Sequence, residues 1–143
     1  MKDAKLLLVD DEKGFLDTIT KRLEKRKLKI WAVYSGEDAL VELEKNTAIE
    51  VVVLDVKMPG MDGIETLVEI KKRFPLMEVI MLTGHATVET AIDGMKLGAF
   101  DYLMKPCDID ALINKVKEAI EKKRQHDEKI MEARIKEISD RMV

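Results

Sequence analysis

Asp10 and Asp11, Asp55, Thr83 and Lys105 each follow directly on a short apolar run. Leu6-Leu7-Leu8-Val9 runs into Asp10-Asp11-Glu12, Val51-Val52-Val53-Leu54 into Asp55, Val79 to Leu82 into Thr83, and Phe100 to Met104 into Lys105. The run Val51 to Leu54, unbroken and of β-branched character, suits a strand buried on both faces of a parallel sheet. Parallel strands bring all of these ends to one edge. Carboxylates gathered there repel one another, so either their pKa values rise or a cation sits among them. Oxygen ligands with room for water suit Mg²⁺. A carboxylate beside such an ion, with a hydroxyl and an ammonium nearby, is arranged to attack phosphorus. In that chemistry Asp55 is the nucleophile, and the metal and Lys105 stabilise charge on the transferring oxygens.

The elements that must position these groups alternate along the chain. Lys5 to Val9 reads as a strand, and Phe15, Ile19 and Leu23 give the next segment, to about Arg26, a helical stripe. Ile30 to Tyr34 is a second strand. Ser35 with Asp38 forms the signature of a capping box before a helix through Lys45, and Asp62 with Glu65 repeats it after the third strand, Val51 to Leu54. The helix carrying Ile64, Leu67 and Phe74 must stop at Phe74 because Pro75 follows. Val79 to Leu82 is a fourth strand, and the helix from about Thr87 to Leu97 ends at Gly98. Phe100 to Met104 is the fifth strand, and Asp108 caps a last helix through Leu112, Val116 and Ile120. Such βα units imply a parallel sheet covered by helices on both faces and joined by right-handed crossovers.

A chain of 143 residues with 46% hydrophobic side chains has the size of one domain with a real core. Its 25 basic and 28 acidic residues, net charge −3, argue against binding nucleic acid by bulk electrostatics. The segment from Met1 to Val9 is too short for a signal peptide or a membrane span, and the single Cys107 excludes an internal disulfide, so a reducing cytoplasm is the expected location. Cys107, beside Pro106, reads as a packed residue rather than a nucleophile. His85 and His126 lack the spacing of a zinc site.

Taken together, Val9-Asp10-Asp11, Leu54 to Gly63 (L-D-V-K-M-P-G-M-D-G), Thr83 to Ala86 (T-G-H-A) and Gly98 to Pro106 (G-A-F-D-Y-L-M-K-P) resemble the receiver domains of two-component response regulators. The likeness spans about residues 4–123 and is greatest to receivers of bacterial enhancer-binding transcription activators. It implies a flavodoxin-like α/β fold with strand order 2-1-3-4-5. It also implies roles for named residues. Asp55 is the phosphoacceptor; Asp11, Asp55 and the backbone carbonyl of Lys57 hold Mg²⁺, with Asp10 acting through the metal's water. Thr83 and Lys105 contact the phosphoryl group, and Tyr102 is an aromatic switch coupled to Thr83. The bond before Pro106 is expected to be cis. Lys57 and His85 occupy positions that tune dephosphorylation. The expected partner is a sensor histidine kinase or a phosphotransfer protein. The only catalysis expected is of the chain's own phosphorylation and slow dephosphorylation.

Other classes fit the residues less well. A dehalogenase-type phosphatase needs a second Asp two positions after the nucleophile, where Lys57 stands. A flavin-binding flavodoxin needs a hydroxyl and glycine loop after the first strand, where Asp10-Asp11-Glu12 would repel the phosphate. The remaining rival is a receiver-shaped binding or dimerisation module that works without phosphorylation, and the intact Asp10, Asp11, Asp55, Thr83 and Lys105 weigh against it.

The sequence divides into a receiver, residues 1–123, and a charged helical extension or linker, residues 124–143. Between Lys122 and Val143, twelve of 22 side chains are charged and neither Pro nor Gly interrupts, so the last helix is expected to continue. Glu132 with Lys136 and Glu137 with Arg141 are favourably spaced. Met131, Ile135, Ile138 and Met142 form a short apolar seam of one and a half heptads. A homodimer is expected either through this seam or through the face of the fourth helix, fifth strand and fifth helix.

Overall fold

The computed structural model describes residues 3–84 and 87–142. Five strands alternate with five helices: β1 Lys5–Val9, α1 Lys13–Glu24, β2 Lys29–Val33, α2 Gly36–Lys45, β3 Val51–Leu54, α3 Gly63–Arg73, β4 Glu78–Thr83, α4 Val88–Lys96, β5 Asp101–Met104 and α5 Ile109–Arg141. The strands form one parallel sheet in the order β2-β1-β3-β4-β5. Both the sheet order and the long last helix agree with the sequence expectation.

Side chains of alternate direction along the strands build two separate cores. Leu6, Leu8, Val51, Val53, Ile80 and Leu82 pack with Leu16 and Leu23 of α1 and with Leu112 and Val116 of α5. Leu7, Val9, Val52, Leu54, Val79 and Met81 pack on the other face with Leu40 and Leu43 of α2 and with Leu67 and Ile70 of α3. Every residue of β3 is buried, which is why that strand shows no polar alternation. α4 differs from its neighbours. Its only buried residue is Gly94, while Val88, Ile92 and Met95 stay exposed.

Local chemistry sets the helix ends, and not always as the sequence suggests. Ser35 and Asp62 cap α2 and α3, accepting from the amides of Asp38 (3.1 Å) and Glu65 (2.9 Å), but the return bond of a full box is not made. The full reciprocal box is at α4. Thr87 Oγ1 accepts from the Thr90 amide at 3.1 Å, and Thr90 Oγ1 accepts from the Thr87 amide at 2.9 Å. Threonine at the third helical position hid it from a pattern that looks for Glu or Gln. Asp108 stands at the N-cap of α5 yet makes no side-chain cap bond, so its carboxylate acts there by charge on the helix end. α1 stops at Glu24, short of the expected Arg26, and Lys27 takes the left-handed conformation (φ 64°) more usual for glycine. Gly98, with φ 104°, closes α4 as expected.

α5 continues without a break through residue 123. Its buried side chains end at Ile120; beyond, Arg124 grips Glu50 through two bonds of 2.7 and 3.0 Å, and Lys122 reaches the buried Glu78 at 3.6 Å. In the extension, Glu137 pairs with Arg141 at 3.1 Å as expected. The other pair formed is Lys123 with Asp127 rather than Glu132 with Lys136. Exposed pairs of this kind differ by only tenths of a kcal/mol, too little for spacing alone to choose among them.

Candidate functional site

The strand register brings the acids together. Val9 of β1 lies beside Leu54 of β3, so the next residue on each strand, Asp10 and Asp55, emerges side by side at the carboxyl edge of the sheet. The Asp55 amide still donates to the Val9 carbonyl at 2.9 Å, and that of Asp10 to Val33 at 3.2 Å, so both backbones are fixed at the point where the strands end. Asp10, Asp11 and Asp55 each offer a carboxylate oxygen, and these atoms lie within 4.8 Å of one another. Asp10 and Asp55 are buried and Asp11 is exposed. The cluster is therefore open on one side. A hollow of about 460 Å³ lined by Asp11, Glu12, Lys57, Met58 and Pro59 lies on that side.

Among the described residues, Lys105 is the cation paired with the cluster. Lys105, following β5, places Nζ 2.6 Å from Asp10 Oδ2 and 3.2 Å from Glu12 Oε1, over the Phe15 ring at 4.1 Å. Burial raises the Asp10 pKa above its ordinary value; the bonds from Lys105 and the Glu12 amide oppose the rise, and the neighbouring Asp55 adds to it. Burial would lower the pKa of Lys105, but the hydrogen bond and charge of Asp10, with Asp55 and Glu12, outweigh that and raise it. With both folded values raised, each contribution to stability is complete below the group's unfolded pKa and is lost as pH rises through its folded pKa. Neutralising Asp10 thus helps the fold, as expected for a buried carboxyl.

Asp55 Oδ1 accepts from the following amide, that of Val56, at 2.9 Å. Thr83 is fully buried at the end of β4, and its carbonyl accepts from the Lys105 amide at 2.9 Å, tying the β4 and β5 ends together. The Lys105–Pro106 bond is cis. Tyr102, half-buried on β5, lies along α4: its hydroxyl is 3.2 Å from Thr90 Oγ1 and its ring passes Gly94, where a Cβ would come 3.6 Å from Cδ2. Lys57 is exposed at the rim of the hollow. His85 lies outside the described residues.

Three contributors escaped the sequence reading. Glu12 is the second anion on Lys105 and Phe15 is its apolar seat, although neither residue type signals such a role by itself. Glu37, in the first turn of α2, accepts from the Met61 amide at 3.0 Å across 24 positions of sequence. Hydrogen bonds from its own amide and from that of Met61 hold the Glu37 carboxyl below the usual carboxylate range.

An oxygen-only set of three carboxylates, open to solvent on one side and only partly balanced by Lys105, fits a hard divalent cation such as Mg²⁺. No helix among the described residues is long and apolar enough to cross a membrane.

Residues 6–117 match the family model described as response regulator receiver domain. The chain is 36% identical over 115 residues to the transcriptional regulatory protein ZraR of Salmonella typhimurium, covering 80% of this chain and 26% of the relative. It is also 36% identical over 113 residues to the DNA-binding transcriptional regulator NtrC of the same organism, covering 79% and 24%. The chain thus spans about a quarter of the length of these relatives. Among solved structures, a response regulator receiver domain protein from Clostridium thermocellum superposes with a TM-score of 0.82 at 40% identity, covering 85% of this chain and 98% of that one.

Proposed function

The chain belongs to the response regulator receiver domain family, and on that premise we propose that Asp55 accepts a phosphoryl group from a phosphohistidine, on a sensor histidine kinase or a phosphotransfer protein. The observation that carries this reading is the meeting of Asp10, Asp11 and Asp55 within 4.8 Å beside the ammonium of Lys105. A carboxylate oxygen of Asp55 attacks phosphorus in line with the donor's P–N bond. A P–O bond forms, the P–N bond breaks, and its electron pair leaves on the imidazole. Asp11, Asp55 and the Lys57 carbonyl would hold Mg²⁺, with Asp10 ordering its water, and the bound ion supplies positive charge for the phosphoryl oxygens. Lys105, already aimed at the cluster, exchanges Asp10 and Glu12 for a phosphoryl oxygen, and Thr83 supplies a hydroxyl from the neighbouring strand. Lys57 and His85 occupy the sequence positions that, by the family resemblance, tune the slow hydrolysis that ends the signal. Relatives bearing the names of transcriptional regulators suggest that the signal passes to an output module in a longer protein.

The direct test uses the intact chain with phosphoramidate. With Mg²⁺ it should gain one acid-labile phosphate, mapped to Asp55 by peptide mass, and with a chelator it should gain none. Phosphate on another residue would overturn the assignment. No incorporation under any condition would favour a receiver that works without phosphorylation.

The output face follows from the loose docking of α4. With Thr83 drawn toward the phosphate and Tyr102 leaving Thr90, α4 is the element with least packing to lose, and its Val88, Ile92 and Met95 are exposed, as is Met104 of β5. A second copy is the proposed partner, with the division of the chain at residue 123 marking where the receiver gives way to a pairing helix. Met131, Ile135, Ile138 and Met142 are all exposed along that extension. Ending the chain at Lys123 should leave phosphorylation intact and lower the mass seen by light scattering with beryllium fluoride and Mg²⁺. An unchanged mass would discard pairing through the extension.

A further inference from the structure

We infer that Glu37, on a helix remote from Asp55 in sequence, is a positioning residue that holds the β3–α3 loop in the shape required for Mg²⁺ binding. The inference rests on the reading that the Lys57 carbonyl is a ligand.

The loop from Val56 to Asp62 leaves β3 at Asp55 and returns at Gly63, where the Gly63 amide donates to the Val56 carbonyl at 2.7 Å. That bond closes the neck of the loop. Within it, Met58 is buried, while Lys57, Pro59 and Gly60 are exposed. The loop's far side is fastened by the Met61 amide, which donates to Glu37 Oε1 at 3.0 Å. Its conformation fits the clamp. Gly60 has φ 72°, and a Cβ there would stand 3.2 Å from the same Glu37 oxygen, so the turn is shaped around the carboxylate. The base of Glu37 is equally close: at Gly36 a Cβ would overlap Thr66 Oγ1 and approach the Met61 carbonyl oxygen at 3.2 Å. The first turn of α2 is thus pressed against the loop and α3, and Glu37 reaches over them. Lys57 lies on the segment between the closed neck and this clamp. Without the clamp, the segment keeps Met58 as its inner anchor, and the backbone carbonyl of Lys57 is free to rotate. Backbone groups that orient metal ligands affect affinity much as side-chain supports do.

The test compares Glu37→Ala and Glu37→Gln with the parent in the full chain. Gln keeps an acceptor oxygen for Met61 but removes the negative charge from the α2 N-terminus. Three readouts are taken: hydrogen exchange of the Met61 amide without metal, calorimetric titration with MgCl₂, and the Mg²⁺ dependence of phosphorylation by phosphoramidate. Expected for Glu37→Ala are faster exchange at Met61, Mg²⁺ binding weaker by about tenfold, and an unchanged plateau rate at saturating Mg²⁺. Glu37→Gln should stay near the parent in all three. A helix-end charge effect alone would lower thermal stability in both variants and leave Mg²⁺ affinity untouched, which would overturn the inference. So would equal weakening in both variants, since charge rather than the clamp would then be responsible. If the parent itself gives no Mg²⁺ binding heat, the metal-site reading falls, and the inference with it. If the parent binds and Glu37→Ala binds equally, only the inference falls.

Discussion

Asp55→Asn is expected to eliminate phosphorylation while making the metal-free protein more stable. The two effects have one cause. Asp55 is 2% exposed, and its carboxylate shares a space of 4.8 Å with those of Asp10 and Asp11. At such separations, with an effective dielectric constant of about 20, two like charges oppose each other by roughly 3 to 4 kcal/mol before solvent and counter-ions reduce the figure. Lys105 offsets part of this by its bond to Asp10, and removing one negative charge should relieve a further ~1 to 2 kcal/mol. The amide of Asn keeps an oxygen for the Val56 N–H, so the local bond at 2.9 Å is retained. What is lost is the nucleophile, since an amide does not displace the nitrogen leaving group from phosphorus, ammonia in the case of phosphoramidate, and labelling by that donor should fall more than about a hundredfold. Thermal melting in chelator should move upward. Added Mg²⁺ should narrow the difference, because the ion offsets the same repulsion in the parent. A variant that loses phosphorylation and also melts lower would mean that the acids are not crowded in solution as they are here.

How far this site could be read from sequence depends on the distance over which each contact acts. Asp10, Asp11, Asp55, Thr83 and Lys105 were legible because each terminates an apolar strand, and a parallel sheet turns that one-dimensional fact into a common edge. The covered faces followed from the alternation of strands and helices, whereas the strand order came from the resemblance to receiver domains. Strand and helix ends moved by one to a few residues, and at α1 the cause is Lys27, which adopts a left-handed turn that its type does not announce. Glu12 at Lys105 and Glu37 at Met61 were not legible. Glu12 is the N-cap residue of α1 and Glu37 lies in the first turn of α2, positions in which carboxylates are common for reasons of helix charge alone. Nothing in their spacing to Lys105 or Met61, 93 and 24 positions away, betrays the contact. The reciprocal cap at Thr87 and Thr90 was missed for a smaller reason, and it matters because Thr90 also holds the Tyr102 hydroxyl. The residue that helps start α4 is thus the one that meets the Tyr102 hydroxyl.

Gly63→Ala should be among the most destabilising single substitutions in the chain, although alanine is ordinarily favoured in a helix. Gly63 is the first residue of α3, and the reason is space rather than backbone freedom. A Cβ at this position would overlap the Asp55 carbonyl oxygen and come 2.6 Å from Val56 Cα and 2.8 Å from the Asp55 carbonyl carbon. All three are backbone atoms in or next to the end of β3. No rotamer change can move them aside, so either α3 withdraws or the strand end bends, at a cost of about 3 kcal/mol or more, the upper part of the range for overpacking. Gly14 provides the internal comparison. It lies in α1 with nothing within 4 Å of its Cβ position, so Gly14→Ala should be neutral or stabilise by about 0.5 to 1 kcal/mol. Denaturant unfolding of both variants checks the contrast. For Gly63→Ala a functional loss should accompany the loss of stability, because the displaced atoms belong to Asp55 itself, and phosphorylation should fall even at temperatures where the variant remains folded. If Gly63→Ala unfolds within about 1 kcal/mol of the parent, the approach of α3 to β3 is adaptable. If it also phosphorylates normally, the position of Asp55 is set by its strand pairing to Val9 alone.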